Sequence, residues 1–188
     1  MLNQKNKKMK IKNILRSLLI LTAAITIGQT AMAQGGFDRA KVSEAINEFK
    51  KTDPEINRFF KSSYGYAVFP SIGKGAIGIG GAAGKGLVFR NGAVQGGSKM
   101  KQVTIGFQFG GKSYGEVIFF ENASAYNKFV ENKFEFAAQV SAVALKSGIS
   151  ANAKYTEGVA VFTLANGGLM YEASIGGQKF KFVPNAEL

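Results

Sequence analysis

The chain of 188 residues contains no cysteine and no histidine. Without cysteine there is no disulfide framework, no thiolate nucleophile and no attachment point for a lipoprotein modification. Without histidine there is no Ser-His or Cys-His pair, and with both residues missing there is no conventional zinc site. A metal would be left with oxygen ligands alone, and the carboxylates are scattered, so no metal and no cofactor is expected. Most routes to catalysis are thereby removed, and the sequence is read as that of a non-enzyme. Long apolar runs are also scarce: the stretch from Leu18 to Ile27 falls short of the roughly 20 residues a membrane-spanning helix needs.

That run follows Lys5, Lys7, Lys8, Lys10, Lys12 and Arg16 with no acidic residue among them, and Ala31-Met32-Ala33 comes after it. Charge, then an apolar segment, then small residues is the order of a signal peptide. Residues 1–33 are therefore expected to be a signal peptide cut between Ala33 and Gln34, leaving residues 34–188 as one exported, periplasmic domain. An uncleaved anchor is the rival reading. The cut leaves 18 basic against 12 acidic residues, so the net charge falls from +12 to +6. Anionic partners stay favoured, but the remaining charge is spread along the chain, and a nucleic acid is not expected.

Past the cut, Val42, Ala45, Ile46 and Phe49 recur at helical spacing behind Asp38, a capping residue. Asp53-Pro54 starts a second short helix with Ile56, Phe59 and Phe60 on one face. The polar face of the first helix mixes Lys41, Glu44, Glu48 and Lys51, which suits packing on a core better than lying in a membrane interface. From Tyr64 the pattern turns to aromatic and β-branched residues punctuated by glycine. Asn91-Gly92 marks a two-residue hairpin, Val103 to Phe109 alternates, and Glu116 to Phe120 reads as a strand. Asn122 caps a short internal helix carrying Ala125, Tyr126, Phe129 and Val130. Phe134 to Leu145 fits strand or helix, with strand preferred. Val159 to Leu164, Leu169 to Ile175 and Lys179 to Val183 read as a three-strand meander. The expected fold is α+β: a mainly antiparallel, strongly curved or barrel-like β-sheet with N-terminal helices and one short internal helix.

Two nucleotide-binding patterns occur by letter. Gly73, Gly75 and Gly78 spell G-x-G-x-x-G, and Gly106, Gly111, Lys112 and Ser113 spell the phosphate loop. Both patterns need a helix to follow, whereas strand-like sequence follows each, so both are set aside in favour of strand and hairpin. Glu131 and Glu135 are the nearest approach to paired catalytic carboxylates and read as solvated side chains.

Five strings, YGYAVFPSIGKG, GIGGAAGKGLVFRNG, TIGFQFGGKSYGEVIFF, FEFAAQVSAVALKSG and GVAVFTLANGGLMYEASIGGQKFKF, span Tyr64 to Phe182. In this order they resemble the SYLF domain family. The resemblance implies binding to an anionic phospholipid membrane surface, of the phosphatidylinositol type or another anionic lipid, without catalysis; some eukaryotic members also bind actin. An exported, bacterial chain makes actin an unsuitable partner, and a structural or protein-interaction module of the cell envelope is the alternative. The expected lipid-contacting residues are Arg58 and Lys61 at a helix end, Lys74, Lys85 and Lys112 in or beside glycine-rich turns, and Lys179 and Lys181 on one strand face.

Overall fold

The chain divides into two units, Met1–Gly36 and Phe37–Leu188. The computed structural model describes residues 36–77, 79–104, 113–136, 140–165, 175 and 177–185. The expected cleavage site at Ala33 and Gln34 lies outside them. Within the second unit, helix α1 (Arg39–Thr52) starts where Asp38 accepts a hydrogen bond from the Lys41 N–H, as the capping pattern predicts. Asp53 ends it and caps the next turn, a 3-10 helix Pro54–Ile56 that leads into α2 (Asn57–Ser62). Proline stands at the first helical position, where its missing N–H costs nothing.

Strands β1 (Gly65–Ile77), β2 (Ile79–Arg90) and β3 (Ala93–Thr104) follow one another, β2 and β3 joined by a tight turn. Asn91 and Gly92 both take positive φ, 50° and 74°, as a two-residue hairpin between right-twisted strands requires. Strand β4 (Tyr114–Phe120) precedes helix α3 (Ala123–Val130), capped by the Asn122 side chain on the Ala125 N–H. Strands β5 (Ala142–Ala144), β6 (Val159–Ala165) and β7 (Gln178–Pro184) complete one seven-stranded sheet in the order β5-β6-β4-β1-β2-β3-β7. Among the described strands every pairing is antiparallel except β5 with β6.

The α+β class, the helices and the antiparallel sheet agree with expectation, but three details differ. The sheet is open, since β5 and β7 stand at its two ends with no ladder joining them among the described residues; the barrel-like expectation is corrected to that extent. β5, three residues long and parallel to β6, offers little edge for closure. Most of the described part of 134–145 is loop; only Ala142–Ala144 pairs. Finally, β6 lies between β5 and β4 whereas β7 lies on β3, so the outer members of the expected meander sit near opposite ends of the sheet; 169–174 falls outside the described residues.

Pleating sends alternate side chains to two apolar clusters. Val68, Leu87, Val117, Phe119 and Phe162 meet α1 and α2 through Val42, Phe49 and Phe59 on one face. Phe69, Met100, Ile118, Phe120 and Phe180 meet α3 through Tyr126 and Phe129 on the other. Both faces of β4 are therefore covered and all seven of its residues are buried.

The glycines of β2 serve the neighbouring strand. β1 carries one extra residue between Val68 and Ile72 relative to both β2 and β4, a bulge that contains Pro70, which has no N–H to give a ladder. A Cβ at Gly86 would stand 2.2 Å from the Val68 carbonyl oxygen, and one at Gly84 would stand 2.8 Å from the Ile72 side chain. At Gly73 an added Cβ meets nothing within 4 Å. Gly86→Ala is accordingly expected to lower stability by about 1–3 kcal/mol, while Gly73→Ala changes it by about 0.5 kcal/mol or less. Urea unfolding of both variants checks the pair.

Candidate functional site

β3 alternates exposed Lys99 and Lys101 with buried Ser98, Met100 and Gln102. β7 alternates exposed Lys179 and Lys181 with buried Gln178 and Phe180. Residues directly opposite in a ladder share a face. The β3–β7 register sets Lys99 opposite Lys181 and Lys101 opposite Lys179. The β2–β3 register sets Lys85 opposite Lys99 and Ala83 opposite Lys101. Five exposed lysines thus form two adjacent cross-strand rows on the side of the sheet away from Phe180 and Met100. At a strand spacing of about 4.8 Å and about 6.8 Å between alternate residues, their Cα atoms fit in a patch of about 10 by 7 Å. The ion pairs described elsewhere, Lys41–Asp38, Lys51–Glu48 and Lys133–Glu131, all lie off this patch.

Three directly opposed lysine pairs, 85–99, 99–181 and 101–179, work against the folded sheet, because like charges facing across a ladder repel. An anionic surface laid on them turns the repulsion into attraction.

Of the residues expected from sequence, Lys85, Lys179 and Lys181 come together here. Lys85 is not in a turn: it lies within β2, where the surrounding glycines make room for the β1 bulge. Lys74 likewise lies in β1, paired with Ala82 and not with the lysine rows, and its side chain is outside the described part. Lys112 is outside the described residues. Arg58 is committed internally: its guanidinium donates to the Ser150 carbonyl at 2.7 Å and to the Ala153 carbonyl, and packs 4.5 Å over the Phe59 ring. Lys61 is exposed near the end of α2, and no strand register connects it to the lysine rows. Lys99 and Lys101 were not foreseen; their signal was the period-two alternation about Met100.

The letter motifs resolve as strand where they are described. Gly73 and Gly75 lie in β1, β2 begins at Ile79, and β4 begins directly after Ser113; Gly78, Gly106 and Gly111 are outside the described residues. Glu131 and Glu135 are exposed, and Glu131 pairs with Lys133 at 2.9 Å.

Beneath the other face lies a carboxyl group that sequence reading passed over. Glu116 is fully buried on β4, and its Oε2 accepts a hydrogen bond from Gln178 Nε2 on β7 at 3.0 Å. Thr163 stands opposite it on β6, and Tyr114 is buried two residues away on the same strand. Burial pushes the Glu116 carboxyl up to about 7, with the Gln178 hydrogen bond pulling the other way. Burial, and then the Glu116 charge, raise the Tyr114 phenol as well. Asp53, also buried, moves oppositely: burial works to raise it, but N–H groups including those of Ser150 at 2.8 Å and Glu55 at 3.1 Å outweigh that and hold it below its usual value.

Taken together these features define an α+β domain whose distinctive exposed chemistry is a lysine-bearing sheet face. Residues 101–186 match the family model described as Ysc84, Las17-binding protein actin regulator, and the chain carries a domain of this SYLF family. The match takes in the last three of the five strings. The chain is also 33% identical over 128 residues to Beta cell expansion factor A of Aeromonas veronii, covering 68% of this chain and 49% of that protein. It therefore spans about half the length of that curated relative.

The folded protein holds a proton on Glu116 at pH values where the unfolded chain has lost it. Stability from this group is full below about 4.5 and is lost as pH rises through about 7. Glu116→Gln is expected to match the parent near pH 5 and to exceed its thermal midpoint at pH 8. Equal midpoints at both pH values would show that burial does not perturb the carboxyl.

Proposed function

We propose that this chain is an exported, periplasmic, non-catalytic module that attaches to anionic phospholipid at a membrane surface, with residues 1–33 as a signal peptide removed after Ala33 and residues 34–188 as the working domain. The observation that carries the reading is the pair of lysine rows on β2, β3 and β7. Near an anionic surface each lysine contributes about 1 kcal/mol, so five engaged together give about 5 kcal/mol. Attachment of this strength is weak, reversible and sensitive to salt, since the screening length falls from about 10 Å at 0.1 M to about 3 Å at 1 M.

We also infer that the sheet is strongly curved, with β7 turned back toward β4. The Glu116–Gln178 bond spans four strand steps, which would separate the strands by about 19 Å in a flat sheet. Phe69 on β1 and Phe180 on β7 likewise bring their ring centroids to 5.7 Å. Such curvature puts the lysines on the convex side. Among the described residues Ile149 is the one large hydrophobic side chain exposed, and no helix is long and apolar enough to cross a membrane. Among the described residues, then, charge at headgroup level supports docking more than an apolar wedge does. Phosphatidylinositol-type lipid is one acceptable ligand among anionic lipids, and actin is not proposed as a partner.

The family description names protein binding, so an envelope protein held by the domain is the second reading. Co-sedimentation with phosphatidylglycerol vesicles separates the two. Binding at low salt that disappears at 1 M salt supports the lipid reading. Failure to sediment at low salt would sink it, while a protein partner retained at high salt would favour the second.

A further inference from the structure

The chemistry of the lysine face is narrow. Its two rows hold Lys85, Lys99 and Lys181 in one and Ala83, Lys101 and Lys179 in the next. On one side they are bounded by the Leu87–Gly97–Val183 row, with the Phe37 ring against Gly97, and on the other by the Gly81–Val103 pair. None of these neighbours has a polar side chain; polar side chains stand only at the margins, where exposed Ser71 on β1 precedes Ile72, the partner of Gly84, and Asn132 accepts a hydrogen bond from the Phe182 N–H on β7. The nearest polar groups beyond Val183, Arg39 and Asn185, are bonded to each other at 3.3 Å.

Headgroups are told apart by polar groups that match their hydroxyls, or by a guanidinium fork fixed on a phosphate. Within its two rows this face has neither, since lysine is the only polar side chain they hold. A lysine ammonium is a compact point charge on a flexible stem, with donors that rotate to any anion. Of the described clefts, one between α3 and Phe134–Phe136 and one beside Arg58 and Tyr155, neither is lined by any of the five lysines. Five charges in so small a patch also exceed what one singly charged headgroup neutralises, so several lipids must engage together.

Resting on the lipid-binding reading above, we infer that the β2-β3-β7 face recognises the charge density of an anionic lipid surface and not the structure of any one headgroup. Binding through several equivalent contacts rises faster than linearly with the anionic mole fraction. Lipids of equal charge and different headgroup compete on equal terms.

The test uses the full-length protein processed by its host and phosphatidylcholine vesicles doped, at matched charge, with phosphatidylglycerol, phosphatidylserine or phosphatidylinositol. The three are expected to bind within about twofold of one another, each rising more steeply than its mole fraction. Lys99→Gln and Lys101→Gln are each expected to weaken binding to all three alike, by about fivefold if a lysine contributes as surface lysines generally do. Their thermal midpoints should be unchanged or raised, because each substitution removes a like-charge opposition. A preference of tenfold or more for one lipid at equal charge would overturn the inference while leaving lipid binding intact. So would a variant whose loss is confined to one lipid. No sedimentation with any anionic vesicle at low salt would overturn the lipid reading and this inference with it.

Discussion

On β7, the register that buries Gln178 and Phe180 also sets Lys179 against Lys101 and Lys181 against Lys99. A slip of one residue would exchange the two sets, driving ammonium groups into a cluster of phenylalanines and exposing Phe180. Apolar burial thus enforces a like-charge arrangement that charge alone would reject. The direct repulsions are worth tenths of a kcal/mol to about 1 kcal/mol each, whereas a buried phenylalanine side chain is worth several times that. Core packing wins, and the cationic grid is held open as its by-product.

The inner side of the same strands carries a matching compromise. Gln178 reaches the buried Glu116 and ties β7 to β4 by a polar link within an otherwise apolar environment. A carboxyl group in such a setting favours its neutral form, so the domain is a better host for a protonated than an ionised Glu116 near neutral pH. Elsewhere in the domain Asp53 is buried with enough N–H donors to remain ionised, and there it joins α1, the 3-10 helix and Ser150 into one cap. Two buried acids with opposite shifts show how local donor supply decides the outcome.

Local signals in the sequence were legible wherever one residue type sufficed to mark a feature. Asp38, Asp53 and Asn122 cap helices, Asn91-Gly92 turns a hairpin, and alternation exposes Lys179 and Lys181 while burying Phe180. What was not legible depends on pairing between distant strands. Lys99 and Lys101 join Lys181 and Lys179 only through the β3–β7 register, and Glu116 meets Gln178 across 62 residues of chain. The glycines near Lys74 and Lys85 suggested turns because composition cannot reveal that their purpose is clearance for a bulge in the next strand. Arg58 illustrates the converse: an exposed-looking cation in sequence spends its donors on two carbonyls in and just after the 3-10 helix Ile149–Asn152, nearly a hundred residues on.

The long-range β3–β7 ladder has a kinetic side. Hairpins β1–β2 and β2–β3 close over short loops, while β7 must wait for a large loop to close before its contacts reward the entropy lost. In a chain that folds this way, Lys85, Lys99 and Lys101 come into register early and Lys179 and Lys181 late. The full cationic grid then belongs to the finished fold alone: partly folded chains carry the same lysines but not the lattice that concentrates them.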